Sequence, residues 1–409
     1  MPNSEAITVL ALVGVGSKNE AKEINGVSHF LEHLFFKGTK RRPNPGDIDD
    51  EINKIGADHN AFTGEEKTGF WIKSSAKDID NCLDIISDLV LNPLFVGDEI
   101  EKERGVILQE IGMYEDLPHR KVFDELSELM YGDQPAGRTI LGKRANIEKI
   151  SRQDILNYRD RNYCAKDMVV IVTGDIKTKN TIEKVKKYFG KTQKGSTPKA
   201  PKTKVLQKTA NIKLIEKEID QSHLAIGVHG YNMFDKRRYA LNVLATILGG
   251  NSSSRMYSEI RQKRGLAYYV GGFASLETDV GSLVMRAGVA HEHLEEAVRI
   301  ICGIASDIKR NGVTAQELKD AKSFIRGQMA LNLETSDQIA GFYGEQELHF
   351  KKAMHPEEIL KKIEKVTRGD ILKVARDIFK PEKFSVAVIG KNKNTSENQV
   401  LFKKMISQI

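Results

Sequence analysis

Cysteine and long apolar runs are scarce in this 409-residue chain, and each scarcity excludes something. The three cysteines, Cys82, Cys164 and Cys302, are far apart and form no CxxC pair. That spacing argues against a disulfide framework and against a thiolate metal cluster. The longest apolar runs, such as Met168–Val172, fall far short of the ~20 residues a membrane-crossing helix needs, so no membrane association is expected. The opening MPNSEAITVL lacks the basic stretch, apolar core and cleavage site of a secretory signal, which makes the cytoplasm the expected location.

Acidic residues are missing from one stretch in particular. Between Gly190 and Lys204 there are five lysines (Lys191, Lys194, Lys199, Lys202 and Lys204) and no Asp or Glu. The same stretch is rich in Gly, Pro, Ser and Thr and reads as a solvated connector. Most of the net charge of +7 is therefore accounted for by one linker, and no nucleic-acid partner is expected. Hydrophobic content of 40% and charged content of 29% are ordinary for a globular chain with a real core, and the length points to more than one domain.

The linker divides two halves built on one plan. Residues 147–156 (IEKISRQDIL) and 363–372 (IEKVTRGDIL) share seven of ten positions at an offset of 216. Ser151 and Thr367 are N-cap candidates with Asp154 and Asp370 three positions on, a near capping box. A β-rich run ending in glycine follows in both, Met168–Gly174 and Phe384–Gly390. Upstream, Gly56–Ser74 and Gly265–Ala287 each hold two β-like segments, followed by amphipathic stretches over Ala76–Leu91 and His293–Ile308. The expected fold is α+β: two homologous domains, each a mixed or antiparallel sheet flanked by helices. The expected boundaries are 1–190, a Lys/Pro-rich linker at 191–207, and 208–409.

The first half contains His29-Phe30-Leu31-Glu32-His33. Val27, Phe30, Leu31, Leu34 and Phe35 recur with helical periodicity, and on a helix His29 and His33 project from one face. Glu32 can then reach a metal-bound water without being a ligand, the HxxEH arrangement of inverted zincins. Two histidines do not hold zinc, so a third ligand is required. Glu103 and Glu110, seven apart on the helix Asp98–Asp116, share an apolar face where an unpartnered carboxylate would be costly. One at the metal and the other just behind it would explain both. The second half acts as an internal control: Leu241, Leu244 and Ala245 stand opposite His29, Glu32 and His33, and Ala321 and Gln328 opposite Glu103 and Glu110. No metal is expected there.

GVSHFLEHLFFKGT, GADHNAFTGEEKT, VILQE at a spacing of 77 from His33 to Glu110, and ILGGNSSSRMYSEIRQKRGLAYYVGG together resemble the pitrilysin family of zinc peptidases. The resemblance covers nearly the whole chain and is nearest the processing-peptidase-like bacterial branch. It implies one zinc per chain, held by His29, His33 and Glu110, with Glu32 as general base and Glu103 behind the ligands. It implies that Asn60, Ala61 and Phe62 belong to an edge strand that pairs with substrate backbone. It further implies that Arg261 and Tyr268, with Tyr269 adjacent, reach the substrate from the second domain. Family members usually carry one more strand ahead of the segment near Ala6, so the first sheet is expected to be short at one edge. The function expected is endopeptidase action on extended or unfolded peptides by a homodimer enclosing a chamber. The contrasting reading, a non-catalytic scaffold of the same fold, would show damage to the HxxEH set, and none is visible.

Overall fold

The computed structural model describes Met1 and residues 4–409. In chain order the first half runs β1 (Ala6–Val13), α1 (Val27–Phe35), α2 (Asp47–Lys54), β2 (Asp58–Thr63), β3 (Thr68–Ser75), α3 (Ile79–Leu91), α4 (Gly97–Glu115), α5 (Pro118–Tyr131), α6 (Arg144–Ile147), α7 (Arg152–Asn162), β4 (Met168–Thr173) and α8 (Thr178–Phe189). The second half runs β5 (Asn211–Glu216), β6 (Ser222–His229), α9 (Arg238–Gly249), β7 (Ala267–Leu276), β8 (Gly281–Val289), α10 (Leu294–Asn311), α11 (Ala315–Leu331), α12 (Ser336–Phe350), α13 (Pro356–Glu364), α14 (Arg368–Ile378), β9 (Phe384–Gly390) and α15 (Ser396–Ile406). The expected repeat is present: α7 and α14 both open on Ser/Thr–Asp capping boxes, and each leads into a strand, β4 or β9.

Two compact units form, and they do not follow the boundaries expected at 190 and 208. The first comprises Met1–Gly112, Thr139–Pro201 and Ala330–Met354; the second comprises Met113–Arg138, Lys202–Met329 and His355–Ile409. Thus α5 belongs to the second unit and α12 to the first. The cause is the two-sided burial of each sheet. Along β1 every residue from Ile7 to Val13 is buried, so both faces of this strand need a cover. Inward, its alternate residues Ile7, Val9, Ala11 and Val13 join the core formed with α1, α3 and α4. Outward, Leu10 and Leu12 meet Ala340 and Leu348 of α12, with Phe62, Trp71, Val169 and Ile171 around them. In the second unit α5 does the same work. Its Val122, Leu126 and Met130 pack against Ala225, Val284, Ala387 and Ile389.

The first unit's sheet has the order β2-β3-β1-β4, with every pairing antiparallel, so β2 is an edge strand. The second unit's sheet is mixed, with the order β5-β9-β6-β8-β7 and β5 parallel to β9. Among the described residues β5 has no counterpart in the first sheet, which is one strand narrower, as expected.

The lysine-rich segment is less loose than its composition suggests. Its lysines are exposed, but its backbone is tied down. Ala165 donates to the Gln193 carbonyl at 2.9 Å, and the Thr197 amide donates to Asp167 at 2.6 Å. All three cysteines are buried and unpaired. Among the described residues no helix is long and apolar enough to cross a membrane.

Candidate metal centre

Helix α1 carries the two histidines, and its seating fixes where they point. Phe30, Leu31, Leu34 and Phe35 are essentially inaccessible to solvent, each contributing about 1.5–3 kcal/mol of burial. The Phe35 ring packs edge-on to Phe70 at a centroid distance of 4.9 Å. At the start of the helix Gly26 adopts φ +105, and a Cβ there would lie 2.7 Å from the Leu141 carbonyl oxygen. The first-turn amides, which no helical carbonyl reaches, are held by a buried carboxylate. Glu20 accepts from the Gly26 amide at 2.7 Å and the Ser28 amide at 2.8 Å, while Asn25 donates to it at 2.7 Å. Burial pushes the Glu20 carboxyl up to about 7 despite these bonds. Glu20 stands outside the HxxEH motif, and in a charged run such as SKNEAKE nothing marks it as buried.

Helix α4 lies alongside, anchored by Ile100, Ile107 and Ile111. Its heptad spacing turns Glu103 and Glu110 toward α1. Glu110 Oε2 is 3.5 Å from His29 Nε2 and 3.6 Å from His33 Nε2. The two imidazoles meet edge-on with centroids 4.7 Å apart. These separations exceed a good hydrogen bond. They match the edge of a tetrahedron, about 3.3 Å for metal–ligand bonds of ~2.0–2.1 Å. The three ligand atoms lie within 4.8 Å of one another, so the donor set fits a zinc ion with only small adjustments.

Behind the donors, Glu103 Oε2 lies 2.9 Å from His33 Nδ1 and its Oε1 lies 2.9 Å from Lys37 Nζ. A carboxylate can only accept, so His33 carries its proton on Nδ1 and turns the Nε2 lone pair toward Glu110. His29 has no such support: its Nδ1 is buried without a hydrogen-bond partner. Glu32 reaches the site from the same helix, and the Thr63 hydroxyl of β2 donates to its carboxylate. Sequence reasoning missed Thr63, although strand alternation from Asn60 places Ala61 and Thr63 on the face toward α1.

The charges at the site follow from these contacts. Burial and the neighbouring His33 lower the His29 pKa to about 4, against the pull of Glu110. For His33 burial acts downward, but Glu110 and Glu103 outweigh it and hold the pKa above 6.5. Burial raises the Glu32 carboxyl, with the Thr63 bond opposing. The Glu110 carboxyl is lowered by His33, against burial, with His29 adding to the pull. Only a neutral imidazole has a lone pair for a metal. Zinc uptake at a pH below the raised His33 pKa is therefore expected to release a proton from His33 and to weaken as pH falls further, whereas His29 adds no further loss until about 4. Chelator competition across pH checks this, and a flat affinity would contradict it.

Asn60, Ala61 and Phe62 lie on the edge strand β2, as expected. This strand pairs with β3 on one side only, the Ala61 amide donates to Asn60 Oδ1 at 2.8 Å, and the Phe62 side chain is packed over Gly69, where a Cβ would lie 2.4 Å from its ring. Arg261 and Tyr268 lie in the second unit. There the Arg261 guanidinium sits 5.3 Å from the Tyr257 ring and donates to the Tyr268 carbonyl. Tyr268 is 75% exposed, whereas Tyr269 is engaged, its hydroxyl 2.9 Å from His223 Nδ1. The positions opposite the site carry no metal-binding set: Leu241, Leu244, Ala245 and Ala321 are buried, and Gln328, opposite Glu110, is exposed.

Comparison with known proteins gives the family of the chain. A family model described as "Insulinase (Peptidase family M16)" matches residues 1–144, and one described as "Peptidase M16 inactive domain" matches residues 149–324. An uncharacterized zinc protease of Mycobacterium tuberculosis is 32% identical over 393 residues, covering 95% of this chain and 89% of that protein. One from Bacillus subtilis is 32% identical over 394 residues, covering 96% and 95%. Among solved structures, a protease from Helicobacter pylori superposes with a TM-score of 0.88 at 24% identity over 95% of both chains. A peptidase M16 inactive domain from Pseudomonas fluorescens gives a TM-score of 0.89 at 19% identity, covering 96% of this chain and 94% of that one. At such identities these two likenesses speak to fold alone.

Proposed function

This chain belongs to the insulinase family of peptidases, family M16, and from that premise we propose that it is a zinc-dependent endopeptidase acting on extended or unfolded peptides. The observation that carries the proposal is the convergence of His29, His33 and Glu110 within 4.8 Å, with Glu32 on the same helix and the edge strand β2 beside it.

His29 and His33 would hold one zinc through Nε2 and Glu110 through its carboxylate. Zinc with three protein ligands is a Lewis acid that lowers the pKa of water to about 7. Glu32 accepts the proton as water attacks the peptide carbonyl and delivers it to the leaving amine. A carboxyl raised by burial is suited to both steps, since it gives up a proton less reluctantly than it would as a strong base and holds one better than an exposed glutamate. Thr63 fixes the orientation of that carboxylate. The edge of β2 at Asn60–Phe62 receives substrate as an added strand, with Asn60 Oδ1 giving up the Ala61 amide to it, a mode that tolerates many side chains. Arg261 and Tyr268 are assigned to substrate contact and stabilisation of the developing oxyanion, Tyr268 by virtue of its exposure. A homodimer enclosing the substrate, and a cytoplasmic location without nucleic-acid or membrane partners, complete the proposal.

The word "inactive" in the second family description suits the second half, whose ligand positions are Leu241, Ala245 and Gln328, better than the first. A scaffold role would leave the intact HxxEH set and its carboxylate support without purpose. The test is cleavage of an unstructured quenched peptide before and after chelation. Activity is expected to vanish with chelator and return with added zinc. Cleavage indifferent to chelation would refute the proposal.

A further inference from the structure

We propose that Lys37 is a positioning residue for the metal, acting through Glu103 to hold His33 in its ligating orientation. The proposal rests on the zinc reading above and extends it by one residue to which the HxxEH pattern gives no role.

Lys37 lies four residues after His33, so both stand on one side of the helix axis, just past the end of α1. Its amide donates to the Leu34 carbonyl at 3.1 Å, which continues the helical path and fixes where the side chain starts. Glu103 on α4 fills the space between the two. One oxygen takes Lys37 Nζ at 2.9 Å and the other takes His33 Nδ1 at 2.9 Å. Two different donors, one on each oxygen, fix the rotation of the carboxylate plane. A single donor would leave it free to turn. The Glu103 side chain is only 8% exposed, so water can do little of this work, and that of Lys37 is 35% exposed, its stem against protein.

The geometry concentrates the orientation of the metal site on this arm. His29 Nδ1 has no hydrogen-bond partner, so among the described residues nothing orients the first imidazole from behind the metal site. The second is held by the chain Lys37–Glu103–His33. An ordinary half-exposed Lys–Glu pair contributes little, but this one shares its carboxylate with a ligand.

Two effects of removing Lys37 oppose each other. The ammonium repels a zinc ion, and losing a half-exposed charge separated from the metal by a carboxylate and an imidazole tightens binding about twofold in a watery surround. Loss of an outer partner that orients a ligand weakens binding about 10–100-fold. The second effect wins.

Zinc affinity of the full chain, read by competition with a chromophoric chelator, tests the inference without relying on cleavage. Lys37→Met is expected to weaken zinc binding about tenfold and Glu103→Gln about 10–100-fold. In the Glu103→Gln background, Lys37→Met is expected to add nothing, because its route to the metal is already cut. Lys37→Arg should restore most of the affinity. Thermal unfolding of the zinc-free proteins shows whether Lys37→Met still folds, and Lys37→Gln is the second variant if it does not. Unchanged or tighter zinc binding by Lys37→Met overturns the inference, as does an equal loss in both backgrounds. A wild-type protein that takes up no zinc refutes the metal reading itself, a different and recognisable result.

Discussion

Glu32→Gln is expected to keep its zinc and to cleave an unstructured peptide about 10²–10⁴-fold more slowly than wild type, the range a positioned acid–base group contributes. The substitution keeps the shape of the side chain and leaves an oxygen to accept from the Thr63 hydroxyl. What it removes is the ability to take a proton from attacking water. Because Glu32 is not a ligand, the donor set of His29, His33 and Glu110 is untouched. The expected pattern is a fall in kcat with metal content unchanged. Activity within a few fold of wild type would mean that another group is the base.

Glu110→Gln is expected to have the opposite signature. The carboxamide oxygen is a neutral, weaker donor, and the substitution takes away the one negative ligand facing both Nε2 atoms. Loss of an outer partner costs about 10–100-fold in metal affinity, and loss of a direct ligand should exceed about 100-fold. The zinc-free variant should fold, since Glu110 is only partly buried and Ile100, Ile107 and Ile111 anchor α4. Stoichiometric zinc in Glu110→Gln under chelator competition would remove Glu110 from the site.

Much of this arrangement was readable in the sequence because helical periodicity is a strong local signal. The recurrence of Val27, Phe30, Leu31, Leu34 and Phe35 located α1 and the face its histidines share. The seven-residue spacing of Glu103 and Glu110 placed both on one side of α4, and the resemblance decided which one faces the metal. What the sequence does not carry is the choice among long-range partners. Nothing in the pattern of α5 or α12 says that each covers a sheet built mainly from the other half; an apolar stripe specifies burial, not the surface that buries it. Composition likewise marked residues 191–207 as solvated. It could not show backbone bonds such as Thr197 to Asp167, which depend on where Asp167 sits in space. Glu20, Thr63 and Lys37 escaped notice for the same reason: each acts on α1 or its neighbour through a side chain that is unremarkable in its own sequence context.

The central claim is that one zinc sits between His29, His33 and Glu110. Anomalous diffraction at the zinc edge, on crystals of the zinc-loaded chain, tests it most directly. The account predicts one peak about 2 Å from His29 Nε2, His33 Nε2 and a Glu110 carboxylate oxygen. A peak elsewhere, or none at these three residues in protein that carries zinc in solution, would contradict it.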